Sequence, residues 1–312
     1  MRGSVQLIAW LLLLAAGALA VLHLLPRSQL LSKTVVVAAS LIPYGLPLAI
    51  IGLLLLAVTG SRPLALVLAG AVLLAHILIA RPYWPARAPT PPEEPITVMT
   101  MNMRCNSPGA EDLARLLRES APDVAVINGL DPRSRDDIIG ELAERYPTAE
   151  FVPLPTYPVC GTVLLTHLPF DGWVAGQRHP TALLRAPGFE FALVAVDFPT
   201  PTHGLGPWLD AFDGLIEDMP SHTGRSVVAI GDFNAVPEHE PMRRLRKETA
   251  LRNAVLESGL GWLPTFPDDR AYPPLVALDH ALVTPDLVAS SAWTASVPGQ
   301  AHRALLLTVG PT

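Results

Sequence analysis

Asp232 and Asn234 stand two residues apart in Val228-Ala229-Ile230-Gly231-Asp232-Phe233-Asn234. The apolar run before them reads as a buried strand. The spacing therefore predicts a carboxylate and a carboxamide delivered to one face of that strand's C-terminal edge. A carboxylate beside a neutral amide suits phosphate-ester chemistry: the carboxylate can orient a nucleophilic water or stand near a hard cation, and the amide can donate to a phosphoryl oxygen without adding repulsion. The same string also reads as an Asx turn closing a strand. More polar residues fall at the ends of other apolar runs. They are Asn102 in Thr100-Met101-Asn102-Met103, Asp279 and His280 in Leu278-Asp279-His280-Ala281-Leu282, and His302 in Gln300-Ala301-His302-Arg303.

Side chains so scattered in sequence form one site only if their strands end together. Strands are predicted over Ile96–Met103, Asp123–Ile127, Thr162–Thr166, Phe189–Val196, Ser226–Ile230, Leu278–Thr284 and Ala304–Val309. Helices are predicted over Glu111–Glu119, where Leu113, Leu116 and Leu117 recur at helical spacing, over Pro132–Tyr146, and over Trp208–Met219. Helices are sparse between the later strands, which favours a layered α/β sandwich with mixed sheets over a doubly wound fold. No Gly-x-Gly-x-x-Gly or P-loop string occurs.

The first quarter of the chain is different. Leu7–Leu25, Val35–Val58 and Pro63–Ala80 are apolar runs without Asp, Glu, Lys or Arg, each long enough for a hydrocarbon core of about 30 Å. They predict three transmembrane helices over residues 1–81, a multi-pass anchor in the cell membrane and not a cleaved signal peptide. Arg27, Lys33, Arg81 and Arg87 against Arg2 and Arg62 give a small lean towards a cytoplasmic C-terminal domain. Residues 82–95 are a Pro-rich linker, expected to be stiff and to hold the domain of residues 96–312 away from the bilayer. Over 312 residues the net charge is -6, with no basic tract. That argues against broad nucleic-acid binding and for a small or membrane-borne phosphate ester. Cys105 and Cys160 could pair in an oxidising compartment or stay as two thiols, and neither has zinc-ligand spacing. His167, His179, His222 and His239 read as surface or loop histidines, and Glu238 and Glu240 as a solvated turn.

From Thr97 to Val309 the chain resembles the endonuclease/exonuclease/phosphatase superfamily, with the deoxyribonuclease I-like fold. Six stretches match its motifs in order: Met101-Asn102-Met103, Pro122 to Gly129, Gly161 to Pro169, Gly231-Asp232-Phe233-Asn234, Asp279-His280, and Gln300 to Ala304. The resemblance implies a four-layer α/β sandwich behind the three helices, resembling a membrane-anchored bacterial type. It implies hydrolysis of a phosphodiester or phosphomonoester by activated water, with Mg²⁺ as the cofactor. His302 would be the general acid/base, steered by Asp279. Asp232 would orient the water, Asn234 would contact the phosphate, and Asn102 and Asp232 would face the metal. Three positions depart from the pattern. The family's metal-binding Glu falls at Gly129, its Asp before the last His at Ala301, and its mid-chain His at Asp197 or Phe198. Asp131 and Asp197 are the candidates to replace the lost carboxylates, and His203 the candidate to replace the lost mid-chain His. With two metal carboxylates missing, the alternative is a pseudoenzyme that binds a phosphate-bearing ligand or a protein partner.

Overall fold

The computed structural model describes residues 2–105, 107–154 and 157–312. It begins with four helices, α1 (Arg2–Leu24), α2 (Lys33–Ala39), α3 (Gly45–Val58) and α4 (Pro63–Ala80). Arg2–Leu24 and Pro63–Tyr83 are each long and apolar enough to cross a membrane. The second predicted span is broken: Lys33–Ala39 and Ile42–Val58 are bent by 50° and would make a third span only if counted together. The break falls at Ser40-Leu41, just before a short 3₁₀ turn, Ile42–Tyr44, with Pro in its first turn.

The remaining elements are β1 (Ile96–Asn102), α5 (Ala110–Ser120), β2 (Val124–Leu130), α6 (Pro132–Leu142), β3 (Thr148–Leu154), β4 (Tyr157–Thr166), β5 (Phe170–Trp173), β6 (Thr181–Ala186), β7 (Phe189–Asp197), α7 (Leu205–Asp218), β8 (Ser226–Asp232), α8 (Glu240–Thr249), β9 (Arg252–Asn253), α9 (Ala254–Glu257), β10 (Asp279–Val283), β11 (Leu287–Ala295) and β12 (Ala304–Pro311). They form two mixed sheets, ordered β11-β12-β1-β2-β4-β3 and β5-β6-β7-β8-β10-β9. The central strands read as unbroken apolar runs because both faces are covered. Val98, Val126, Leu164, Leu193, Ile230 and Leu307 fill the space between the sheets. Met99, Ile127 and Val163 face α5 and α6, while Val194, Ala229 and Phe233 face α7 and α8. The result is the four-layer α/β sandwich.

Two features of the N-terminal region differ from expectation. Val36 of α2 is fully buried among Trp208, Phe212, Phe233 and Met242, so α2 belongs to the outer helical layer of the sandwich. The Pro-rich segment does not hold the domain at a distance. The Ala86 N–H donates to Gly259 O at 2.9 Å, and a side chain added at Gly310 would collide with Pro92, 2.7 Å away. Its prolines are extended but lie along the sandwich, from the helix-bundle end to the start of β1.

Candidate active site

Strand register lines up three carboxylates. Asp197 on β7 lies opposite Asp232 on β8, and Asp279 on β10 lies opposite Asp232 from the other side. Register partners share a face of the sheet, so the three stand in a row. Asn102, at the end of β1, and His302, just before β12, come from the other sheet and close the cleft. Asp232, Asp279 and His302 are buried, while Asn102 and Asp197 are half-buried.

Hydrogen bonds fix the constellation. The Asn102 Nδ2 donates to Asp232 Oδ2 at 2.9 Å, and Asn102 Oδ1 accepts from the Arg104 N–H at 3.0 Å. Asn234 does not lie on the strand. At φ 48° it turns back in the left-handed region, with its N–H donating to Asp232 Oδ1 at 2.8 Å. The Asx turn and the delivery of two polar groups are thus the same structure. The Asn234 Nδ2 donates to Phe198 O at 2.7 Å and to Asp232 Oδ2 at 3.1 Å. His302 Nδ1 lies 2.8 Å from Asp279 Oδ2, and its Nε2 lies 3.8 Å from Asp232 Oδ2. The loop holding the imidazole is pinned by Asp268 N–H to Ala301 O at 2.7 Å, by Arg303 N–H to Thr265 O at 2.8 Å and by the Arg303–Asp268 ion pair. Phe266 packs on the imidazole, with centroids 5.0 Å apart.

The electrostatics sort these groups into acids and bases. Burial works against charging His302, but Asp279 and Asp232 outweigh it and hold its pKa at about 9. Burial raises Asp232 to about 6, with the His302 charge working in the opposite direction. Asp197 is pushed to about 8 by desolvation and by the charge of Asp232. At neutral pH the cleft therefore holds an imidazolium at His302, a carboxylate at Asp232 and a protonated acid at Asp197.

Gly129 marks where this site departs from the family pattern. Its φ is +73°, and a Cβ there would lie 2.9 Å from the Arg104 N and 3.3 Å from Asn102 Oδ1. The backbone after β1 occupies the space a side chain at 129 would need. It is tied down by Met103 N–H to Asn128 O at 2.9 Å and by the Cys105–Cys160 disulfide, with Cα atoms 5.9 Å apart. Asp131 does not replace the missing acid. Its oxygens cap α6, accepting from the N–H groups of Arg133 and Ser134 and from the Ser134 hydroxyl. His203 sits in an exposed turn and does not join the site. Ala301 is buried, with its carbonyl engaged as above.

Sequence reasoning passed over Asn128, which clamps the sheets together beneath the cleft. Its Nδ2 donates to Val196 O at 2.7 Å, and its Oδ1 accepts from the Thr162 hydroxyl at 2.8 Å. A carboxamide inside an apolar run was the available signal, since a buried amide needs partners. Beyond Asp197 the cleft continues into a cavity of about 440 Å³ walled by Trp173, Thr162 and Phe198.

The donor set fits a divalent cation. Ligand atoms of Asp232, Asp279 and His302 lie within 4.8 Å of one another, and Asp279 Oδ1 is buried without a partner. Two carboxylates meet the usual need of a hard cation.

The sequence profile of the Endonuclease/Exonuclease/phosphatase family matches residues 99–302. The chain belongs to that family, whose fold is that of phosphoesterase- and nuclease-type hydrolases. Solved structures agree on the fold. An endonuclease/exonuclease/phosphatase from Bacteroides vulgatus is 16% identical, with a TM-score of 0.58, covering 70% of this chain and 100% of that one. Another from Beutenbergia cavernae DSM 12333 is 18% identical, with a TM-score of 0.53 over 70% of this chain and 72% of that one. The human Nocturnin catalytic domain, solved with a bound sulfate anion, is 17% identical, with a TM-score of 0.55 over 72% and 97%. No curated protein matches this chain.

Proposed function

We infer that this chain is a membrane-anchored phosphoesterase that hydrolyses a phosphodiester or phosphomonoester with activated water. The observation that carries this reading is the row Asp279–His302–Asp232, in which a buried imidazole meets one carboxylate at 2.8 Å and a second at 3.8 Å. Neighbouring groups whose pKa values stand apart, about 9 at His302 and about 6 at Asp232, supply an acid and a base. Asp232 takes a proton from the attacking water. His302, kept protonated by Asp279, neutralises a phosphoryl oxygen and gives its proton to the leaving oxygen. The amides of Asn102 and Asn234 hold Asp232 in place, and the second N–H of the Asn102 amide can donate to the phosphate. A divalent cation, Mg²⁺ by the resemblance, would be held by the Asp232 and Asp279 carboxylates and would add positive charge at the phosphoryl oxygens.

Bilayer attachment is supported by α1, by α4 and by the bent α2–α3 pair. The Cys105–Cys160 bond supports an oxidising side for the domain, against the slight lean of the flanking basic residues. The net charge of -6 supports a small or lipid-borne ester over a nucleic acid.

The test is hydrolysis of bis(p-nitrophenyl) phosphate and p-nitrophenyl phosphate by the full chain in detergent. Asp232→Asn and His302→Ala should each reduce turnover by about 10²–10⁴-fold. Turnover unchanged in His302→Ala refutes the assignment. One observation favours the second reading, a phosphate-binding protein without turnover: Arg104 fills the space where a carboxylate at 129 would stand. Binding of inorganic phosphate with no hydrolysis of either ester selects it.

A further inference from the structure

We propose that the ester phosphate is carried by a bilayer lipid and meets the site at the membrane surface; this rests on the phosphoesterase reading above. The helix bundle and the site share one end of the sandwich. β1, β7 and β8 end at Asn102, Asp197 and Asp232, and β10 begins at Asp279, so the site occupies one end of the sheets. The bundle is fastened to that same end. Gln29, just after α1, donates to Glu238 O at 3.1 Å and accepts from the Glu240 N–H at 3.0 Å. His239 accepts from the Val236 N–H at Nδ1, 3.1 Å, which leaves its Nε2–H to donate to Val36 O at 3.0 Å. The Tyr44 hydroxyl donates to Leu275 O at 2.7 Å, four residues before Asp279. The Tyr83 hydroxyl donates to Glu238 Oε1. Tyr44 and Tyr83 both pack edge-on against Trp262, at 6.3 and 4.9 Å.

Both strands that supply buried carboxylates are therefore clamped to the bundle within a few residues of those carboxylates. The other end of the sheets, at Ile96, Ser226 and Val283, lies about 20 Å away at about 3.3 Å per residue. The clamped end also has the surface of a lipid interface. Trp84 (48% exposed), Leu260 (47%) and Tyr272 (49%) lie open within three residues of Tyr83, Trp262 and Leu275 of the clamp, and Arg27, Lys33, Arg81 and Arg87 are exposed within four residues of Gln29, Val36 or Tyr83. Aromatic, apolar and basic side chains mixed in this way match the headgroup level of a bilayer. A site rigidly held there meets phosphates of lipids at high local concentration, while a soluble ester must diffuse to it.

The test uses the full chain in phosphatidylcholine nanodiscs doped with phosphatidic acid or phosphatidylglycerol. Turnover of each is compared with that of its dibutanoyl, water-soluble counterpart. The lipid form should be preferred by about 10²-fold in apparent kcat/KM, and Leu260→Glu should erase the preference while leaving soluble turnover unchanged. Location is read separately. A fluorophore at Tyr272→Cys should be quenched by headgroup-nitroxide lipid, and one at Arg225→Cys, at the far end, should not. Equal turnover of the two forms, or preferential cleavage of a soluble oligonucleotide, overturns the lipid proposal and leaves the phosphoesterase reading standing. Turnover of neither form overturns the lipid proposal, and the phosphoesterase reading falls with it only if both p-nitrophenyl esters are also left intact. Equal or reversed quenching overturns the lipid proposal whatever the turnover.

Discussion

Replacing Asp279 by Asn tests the core of the proposed chemistry. Asp279 is buried against His302, and its charge is the largest influence holding the imidazole proton against desolvation, at a pKa of about 9. Asn keeps the shape and removes the charge. Asp232, 3.8 Å away, is the weaker partner, so the variant imidazole should fall to its ordinary value of about 6.5 or below. At pH 8 a group with a pKa of about 9 is about nine-tenths protonated, and one at about 6.5 only about 3%. If the imidazolium is the working acid, turnover at that pH should fall about thirty-fold, and the alkaline limb of the pH–rate profile should move down by about 2.5 units. The assay is that profile for wild type and Asp279→Asn, with the His302 titration followed by NMR. An alkaline limb that stays in place while the NMR titration moves would show that His302 is not the acid. A titration that does not move would show that the Asp279 charge does not govern it.

Three further outcomes are expected. Burial raises Glu238 to about 7 from an ordinary 4.5, so its contribution of about 3 kcal/mol should be fully present below pH 4.5 and lost as pH rises through 7; thermal unfolding of Glu238→Gln should lack this pH dependence. Gly129→Glu should cost about 1–3 kcal/mol, because position 129 has φ +73° and its Cβ would meet the Arg104 backbone, and calorimetry should show no gain in Mg²⁺ affinity. Cys105→Ser should release a cross-link spanning 55 residues, costing about 4 kcal/mol in a denaturant titration.

What the sequence made legible was local or strictly periodic. Val228 to Asn234 announced a strand and its polar tip because both depend only on neighbours. The row Asp197–Asp232–Asp279 was not legible, because it depends on which strands pair and at what register. Asp197 appeared only as a distant substitute for a lost ligand. The clamp at Glu238 and His239 was missed outright: both read as solvent-exposed, yet both are buried against residues about two hundred positions earlier in the chain. His179 and His222 are buried as well, and His179 pairs with Asp218 at 3.1 Å. Gly129 was read as a side chain lost, whereas the fold shows a space closed. β11, with Ala289, Ser290, Ser291 and Thr294 along it, lacks the apolar run that marked the seven predicted strands, and it forms by pairing with β12.

The path of the chain into the sandwich bears on how the molecule is made. β1 enters from the far end, lies between β2 and β12, and pairs Ile96 with Val309. The strand synthesised first in the domain thus waits for the one synthesised last, while the helices ahead of it are already free to insert. Long-range closure of this kind is slow. With the helices anchored in a bilayer as proposed above, assembly would proceed on a tether, with neighbouring half-built copies confined to the same plane. That is a setting in which the unpaired edge of β1 invites mispairing, and in which loss of β12 would be more damaging than loss of any surface loop.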